Sequence, residues 1–195
     1  MSLNISTEEE ATGTTAVEKE KVFYARIESM EPLSNYAATS ELQEQWQLRI
    51  PKTDNNLSEG RIRVRATTTV SGIQYVQTIK IPTTNGQDET SFEVTQSVFE
   101  QFKKLSNDGM IKRRYFIPIE GREEKWEVDV FNLPNGKTAN WVKIDFEFKS
   151  ETIVEPPRVP EFFIDVIPGS TQDPEEREFI STLYSDVFTA KPKAE

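Results

Sequence analysis

The chain has 195 residues, with 33 Asp and Glu against 23 Lys and Arg, no histidine and no cysteine, and a net charge of -10. Without thiols or imidazoles there are no disulfides, no thiolate or imidazole metal sites and no histidine general base, so any metal must be held by oxygen ligands, which favours magnesium, manganese or calcium. The acidic balance argues against binding duplex nucleic acid, and no apolar run approaches the ~20 residues of a membrane span.

Residues 1–16 are polar, rich in Ser, Thr and Glu, and lack both an apolar period and the features of a signal peptide; they predict a disordered tail. Residues 17–190 predict one domain and 191–195 a short C-terminal tail, with a cytoplasmic location expected. In Val17 to Ile27 the aromatic and β-branched second half reads as a strand, with Glu18 and Glu20 sharing a face that Arg26 and Glu28 continue. Leu42 to Ile50 fits strand or helix, and Trp46, Leu48 and Ile50 at period two lean towards strand. Arg61 to Thr69 and Tyr75 to Ile81 form a predicted hairpin around Ser71-Gly72, and Thr83 to Glu89 reads as a polar loop.

Val98, Phe99, Phe102 and Leu105 recur at helical spacing, and Asn107-Asp108-Gly109 ends that helix. Three strands follow: Met110 to Ile119, Lys125 to Phe131 and Trp141 to Phe148. Pro156, Pro157 and Pro160 mark an extended segment, Phe162 to Val166 a short strand, and Asp173-Pro174 the cap and first position of a last helix.

The charges alternate with the strands. Arg61, Arg63 and Arg65 share a face opposite Ile62 and Val64, and Lys80, Lys112 with Arg114, Glu127 with Asp129, and Asp145 with Glu147 do likewise. A half-exposed antiparallel sheet gives such alternation with its polar face in water. Here, however, the cations cluster on the central strands and the paired acids on the first and late ones. That segregation favours a sheet closed into a barrel with a charged lumen. Acid-x-acid pairs suit divalent cations, and arginine's planar fork suits phosphate oxygens. Trp126 and Trp141 are assigned to packing against helices, Arg113 and Lys125 to the outer surface, and Lys143 carries no specific signal.

The order Glu18-x-Glu20, Arg-x-Arg, Thr78-Ile79-Lys80, Lys112-x-Arg114-Tyr115, Trp126-Glu127-Val128-Asp129-Val130-Phe131 and Asp145-x-Glu147 resembles the CYTH superfamily, the triphosphate tunnel metalloenzymes. The resemblance runs from about Val17 to about Phe188. It implies an α+β fold, an eight-stranded antiparallel β-barrel with helices packed outside, which binds triphosphates with Mg2+ or Mn2+. It also implies metal ligation by Glu18, Glu20, Asp145 and Glu147, with Asp129 a further candidate, and phosphate contacts from Arg61, Arg63, Arg65, Lys80, Lys112 and Arg114. Glu18, Glu20, Lys21 and Asp129 form the candidate catalytic set.

Two positions depart from the family pattern. The lysine of its first Glu-x-Glu-x-Lys motif falls on Val22, with Lys21 beside it, and Asp145 replaces a glutamate. The expected activity is metal-dependent hydrolysis of inorganic triphosphate, a nucleoside triphosphate or an RNA 5′-triphosphate, by a monomer or homodimer. The alternatives are a non-catalytic binder of a nucleotide or oligophosphate, an adenylyl cyclase of the class IV type, and a structural β-domain.

Overall fold

A computed structural model describes residues 20–52, 59–83, 86–106, 108–148 and 155–190. Glu18 and the two predicted tails lie outside the described residues. The strands are β1 (Glu20–Ile27), β2 (Glu41–Ile50), β3 (Gly60–Thr69), β4 (Gly72–Thr83), β5 (Gly86–Glu93), β6 (Asp108–Pro118), β7 (Lys125–Asn132), β8 (Thr138–Glu147), β9 (Phe163–Pro168) and β10 (Thr189–Ala190). The helices are α1 (Glu31–Ser34), α2 (Gln96–Leu105) and α3 (Pro174–Val187). None of the described helices is long and apolar enough to cross a membrane.

All the pairings are antiparallel, in the order β5-β4-β3-β2-β6-β7-β8-β1-β9, with β10 added to β6. The fold is α+β, but two expectations change. Among the described residues there are ten strands rather than eight, and β5 and β9 do not pair, so the ladder is an open path and not a hydrogen-bonded barrel. β9 meets β1 through a register shift between Tyr24 and Arg26 and ends at Pro168, which has no N–H to extend a ladder. The predicted Thr83–Glu89 loop is largely strand, because tertiary pairing with β4 overrides the weak strand propensity of Gly86-Gln87-Asp88-Glu89. Arg26 leaves the expected polar lining and pairs with Asp165 on β9 at 3.1 Å, while Glu28 lies beyond the end of β1.

The sheet is strongly curled, since a single cavity is lined by side chains from all of β1–β8. Alternation then sorts the apolar residues into three groups. On the convex side, Trp126, Val128, Ile144 and Phe146 pack with Leu33 of α1 and with Phe163. Also outside, Phe99 and Phe102 of α2 cover Val64, Ala66, Trp46 and Tyr75. The third group faces inward, where Tyr24, Met110, Phe131 and Trp141 meet Tyr184, Leu183 and Val187 of α3. α3 therefore passes across one end of the concave face, from β9 beside β1 to β10 beside β6.

The helix ends follow their sequence signals. The Thr95 hydroxyl accepts from the Val98 N–H at the start of α2, and the Asp173 carboxylate accepts from the Glu175 and Glu176 N–H groups at the start of α3. Beneath α2, the Trp46 ring lies flat over Gly109, and a Cβ there would stand 2.4 Å from the ring. Gly109→Ala should lower stability by about 1–3 kcal/mol through overpacking, read as a reduced urea midpoint with an unchanged m value.

Candidate functional site

The inward faces of the curled sheet enclose a cavity of about 1140 Å³. Among the described residues, eight cationic side chains line it, Lys21, Arg61, Arg63, Arg65, Lys80, Lys112, Arg114 and Lys143, against seven carboxylates, Glu20, Glu89, Glu127, Asp129, Asp145, Glu147 and Glu155. Cations are thus concentrated here relative to a chain of net charge -10. Every residue named from the sequence as a site candidate lines this cavity, Glu18 excepted, which is not described.

The signs are segregated. On β3 and β4, Arg61 stands opposite Lys80 and Arg63 opposite Thr78. The Arg63 guanidinium donates to Thr78 Oγ1 at 3.4 Å, and Thr78 is bonded to Ser91 of β5 at 3.0 Å. Glu89 of β5 pairs with Lys80 and lies 3.8 Å from Arg63. The Nε atoms of Arg63 and Arg65 are buried and donate to nothing among the described residues. Burial, then repulsion from Arg65, lowers the Arg63 guanidinium to about 10, with Glu89 pulling the other way and Arg61 adding to the fall. Burial, followed by Arg114, lowers Arg65. This wall holds more positive charge than its own acids neutralise.

The opposite wall is a lattice of ion pairs. Cross-strand register sets Arg114 of β6 beside Asp129 of β7, and Asp129 beside Lys143 of β8. Asp129, 0% exposed, accepts from Arg114 Nε at 2.7 Å and from a terminal guanidinium nitrogen at 2.8 Å, and also pairs with Lys112. Arg114 reaches Glu127 as well, and Asp145 at 3.4 Å, while Lys143 Nζ lies 2.6 Å from Asp145. Burial alone would push the Asp129 carboxyl up, but Lys112 and Arg114 overcome it and hold it well below the usual carboxylate range. Burial lowers Lys112 to about 8 against the pull of Asp129. Burial also works against the Arg114 cation, yet Asp129, then Glu127 and Asp145, raise it above the ordinary arginine value. Glu127 and Asp145 are both raised, chiefly by burial.

At the ends of β1 and β8, Glu20 stands directly opposite Glu147 and Val22 opposite Asp145. Val22 thus takes the inward position where the resemblance asks for lysine. Lys21 lies at the margin, 39% exposed, paired with Glu155 at 2.7 Å. All the oxygen donors are hard, but among the described residues no three carboxylates gather as a metal cage.

Sequence reasoning missed several lining residues. Lys143 has the same parity as Asp145 and Glu147, a signal that was present and given no weight. Glu89 was hidden by the loop assignment. Gln45 and Gln47 alternate with Trp46 and Leu48, but neutral amides carry no charge pattern to notice. Glu127 both lines the cavity and pairs with Arg114.

Asp129→Asn should leave Lys112 and Arg114 buried without their shared counter-charge and cost about 3–5 kcal/mol near neutral pH. Because the folded Asp129 value lies below the unfolded one, its contribution is complete above a pH of about 4 and is lost as pH falls through the folded value. The stability gap between parent and variant in urea should therefore be widest at neutral pH and narrow on acidification.

No protein-family model matches the chain, and no curated protein matches it. Solved structures similar to it include the PH1819 protein from Pyrococcus horikoshii OT3, at 12% identity and a TM-score of 0.43, covering 89% of this chain and 95% of that one. A candidate adenylate cyclase (bh2851) from Bacillus halodurans gives 13% identity and 0.41, covering 93% and 95%. The candidate adenylyl cyclase HpAC1 from Hippeastrum, described as having a dominant triphosphatase activity, gives 13% identity and 0.37, covering 91% and 92%. These TM-scores are below 0.5, and the site is read from its own side chains.

Proposed function

We propose that the cavity binds the phosphate chain of a triphosphate-containing small molecule and, with Mg2+ or Mn2+, hydrolyses it. The observation that carries this reading is the wall of Arg61, Arg63, Arg65 and Lys80, in which two half-buried arginines have buried Nε donors unpartnered among the described residues and depressed proton affinity. Burying like charges together is costly unless an anion completes the site. Phosphate oxygens answer both the charge and the planar geometry of the donors. The resemblance to triphosphate tunnel metalloenzymes agrees with this reading.

A divalent ion fits in one form only. Magnesium is commonly held by one or two carboxylates together with substrate phosphate oxygens. Glu20 and Glu147, in register on adjacent strands, are the pair proposed to hold it, with Asp145 on the same face as Glu147 and Glu18 as the further ligand that the resemblance implies. When bound, the ion would neutralise charge on the phosphate oxygens. The arginine wall and Lys80 fix the chain in place, and Lys112 and Arg114 meet negative charge developing on the transferred phosphoryl group; positioning and electrostatics supply most of the rate in such reactions. Asp129 acts here through Lys112 and Arg114, which it holds, and its deep double pairing assigns it no metal.

A second reading, binding without turnover, is favoured by Val22 facing Asp145 and by Lys21 engaged with Glu155. The same assay separates the two. Purified protein given tripolyphosphate or ATP should release phosphate with magnesium or manganese and not in EDTA, and Glu147→Ala should abolish the release. Ligand binding without product under both metals would leave only the binder. Arg63→Ala should weaken tripolyphosphate binding roughly 10- to 100-fold, the loss of a charge-assisted contact, measured by calorimetry. Unchanged affinity would remove the arginine wall from the site.

A further inference from the structure

Inorganic triphosphate would use only part of this cavity. At about 1140 Å³ it is as large as sites that enclose drug-sized ligands. Its charged walls give way, under α3, to a surface of a different kind. Met110, Phe131, Tyr184 and Phe188 line the cavity there. Tyr184 and Phe188 lie nearly parallel, with centroids 6.3 Å apart and planes at 28°, and both are only half-buried, so aromatic surface faces the open space. The Tyr184 hydroxyl is bonded to Tyr24 at 3.0 Å, which leaves the rings as the accessible feature.

Beside this surface is a buried amide. Gln45 is 9% exposed, lines the cavity, and stands in register between Arg65 on β3 and Met110 on β6. Its Oε1 is buried and accepts no hydrogen bond among the described residues. A buried acceptor without a donor is costly, and native proteins satisfy nearly all of them. Gln45 thus sits where the arginine wall ends and the aromatic surface begins. A bare phosphate chain offers neither an apolar face for the rings nor an N–H for the amide.

We propose that the α3 end of the cavity is a subsite for a planar nitrogen heterocycle carrying an N–H donor, so that the ligand is a nucleoside triphosphate with an amino-bearing base rather than inorganic triphosphate. The ring rests on Phe188 and Tyr184, the amino group donates to Gln45 Oε1, and the phosphates run along Arg65 and Arg63. The proposal depends on the phosphate-binding reading of the same cavity and adds the chemical class of what the phosphates are attached to.

The test is calorimetric titration in metal-free buffer of the full chain with ATP and, separately, with tripolyphosphate. The parent should bind ATP about tenfold or more tightly than tripolyphosphate, in line with ring stacking on an aromatic side chain. Phe188→Ala should erase that difference by weakening ATP alone, and Gln45→Leu, which keeps the volume and removes the acceptor, should do the same in part. Unchanged tripolyphosphate affinity in both variants establishes that the cavity remains folded. Equal affinity of the parent for the two ligands, or an equal loss for both in Phe188→Ala, would overturn the ring subsite and leave the phosphate site standing. Failure of the parent to bind either ligand would overturn the phosphate-binding reading and the subsite with it.

Discussion

Asp129 is wholly buried and ionised, held between Lys112 and Arg114, and the interior of the sheet is organised around that arrangement. A lone carboxylate at such depth would neutralise itself by taking up a proton. Two cations from the neighbouring strand prevent this, and each in turn needs the acid to remain charged while buried. The three side chains are locked by β-sheet register, Arg114 directly opposite Asp129, so the electrostatics follow from the pairing of β6 with β7. Glu127 on the same strand as Asp129, and Asp145 and Lys143 on β8, extend the lattice across one more strand.

The two walls differ in what they lack. The lattice on β6, β7 and β8 is close to neutral, while the wall on β3 and β4 carries an excess of positive charge that Glu89 offsets only in part. An arriving anion therefore finds one wall already neutral and the other short of negative charge. Preorganised charge of this kind would need little rearrangement to receive the proposed phosphate chain, which is the condition under which fixed dipoles and cations act on a reaction. In a chain of net charge -10, such a wall is where the anion proposed above would be held rather than repelled.

Much of this was legible in the sequence because β-strands alternate with a period of two. Arg61, Arg63 and Arg65, or Asp145 and Glu147, can only share a face if their strand is regular, and the strands around them are. What was not legible falls into two kinds. Lys143 shares that parity, but a single lysine among acids reads as ordinary surface until its cross-strand neighbours are known. The closing of β1 onto β8 and the passage of α3 across one end depend on contacts between residues more than a hundred positions apart, such as Tyr24 with Tyr184, while β5 was missed because a short polar segment pairs with β4 against its weak strand propensity. Local patterns carry no trace of those. The aromatic surface under α3 was equally hidden: Trp141 was assigned to packing against a helix, as it does against α3, but nothing local says that this packing lies on the concave face.

α3 has one more consequence. By lying across the end of the concave face, with Tyr184 packed on Tyr24, Phe131 and Trp141, it faces that end of the cavity with aromatic carbon. One chamber therefore presents two unlike surfaces, charge along its walls and rings at one end, and a molecule that filled it would have to be amphiphilic along its length.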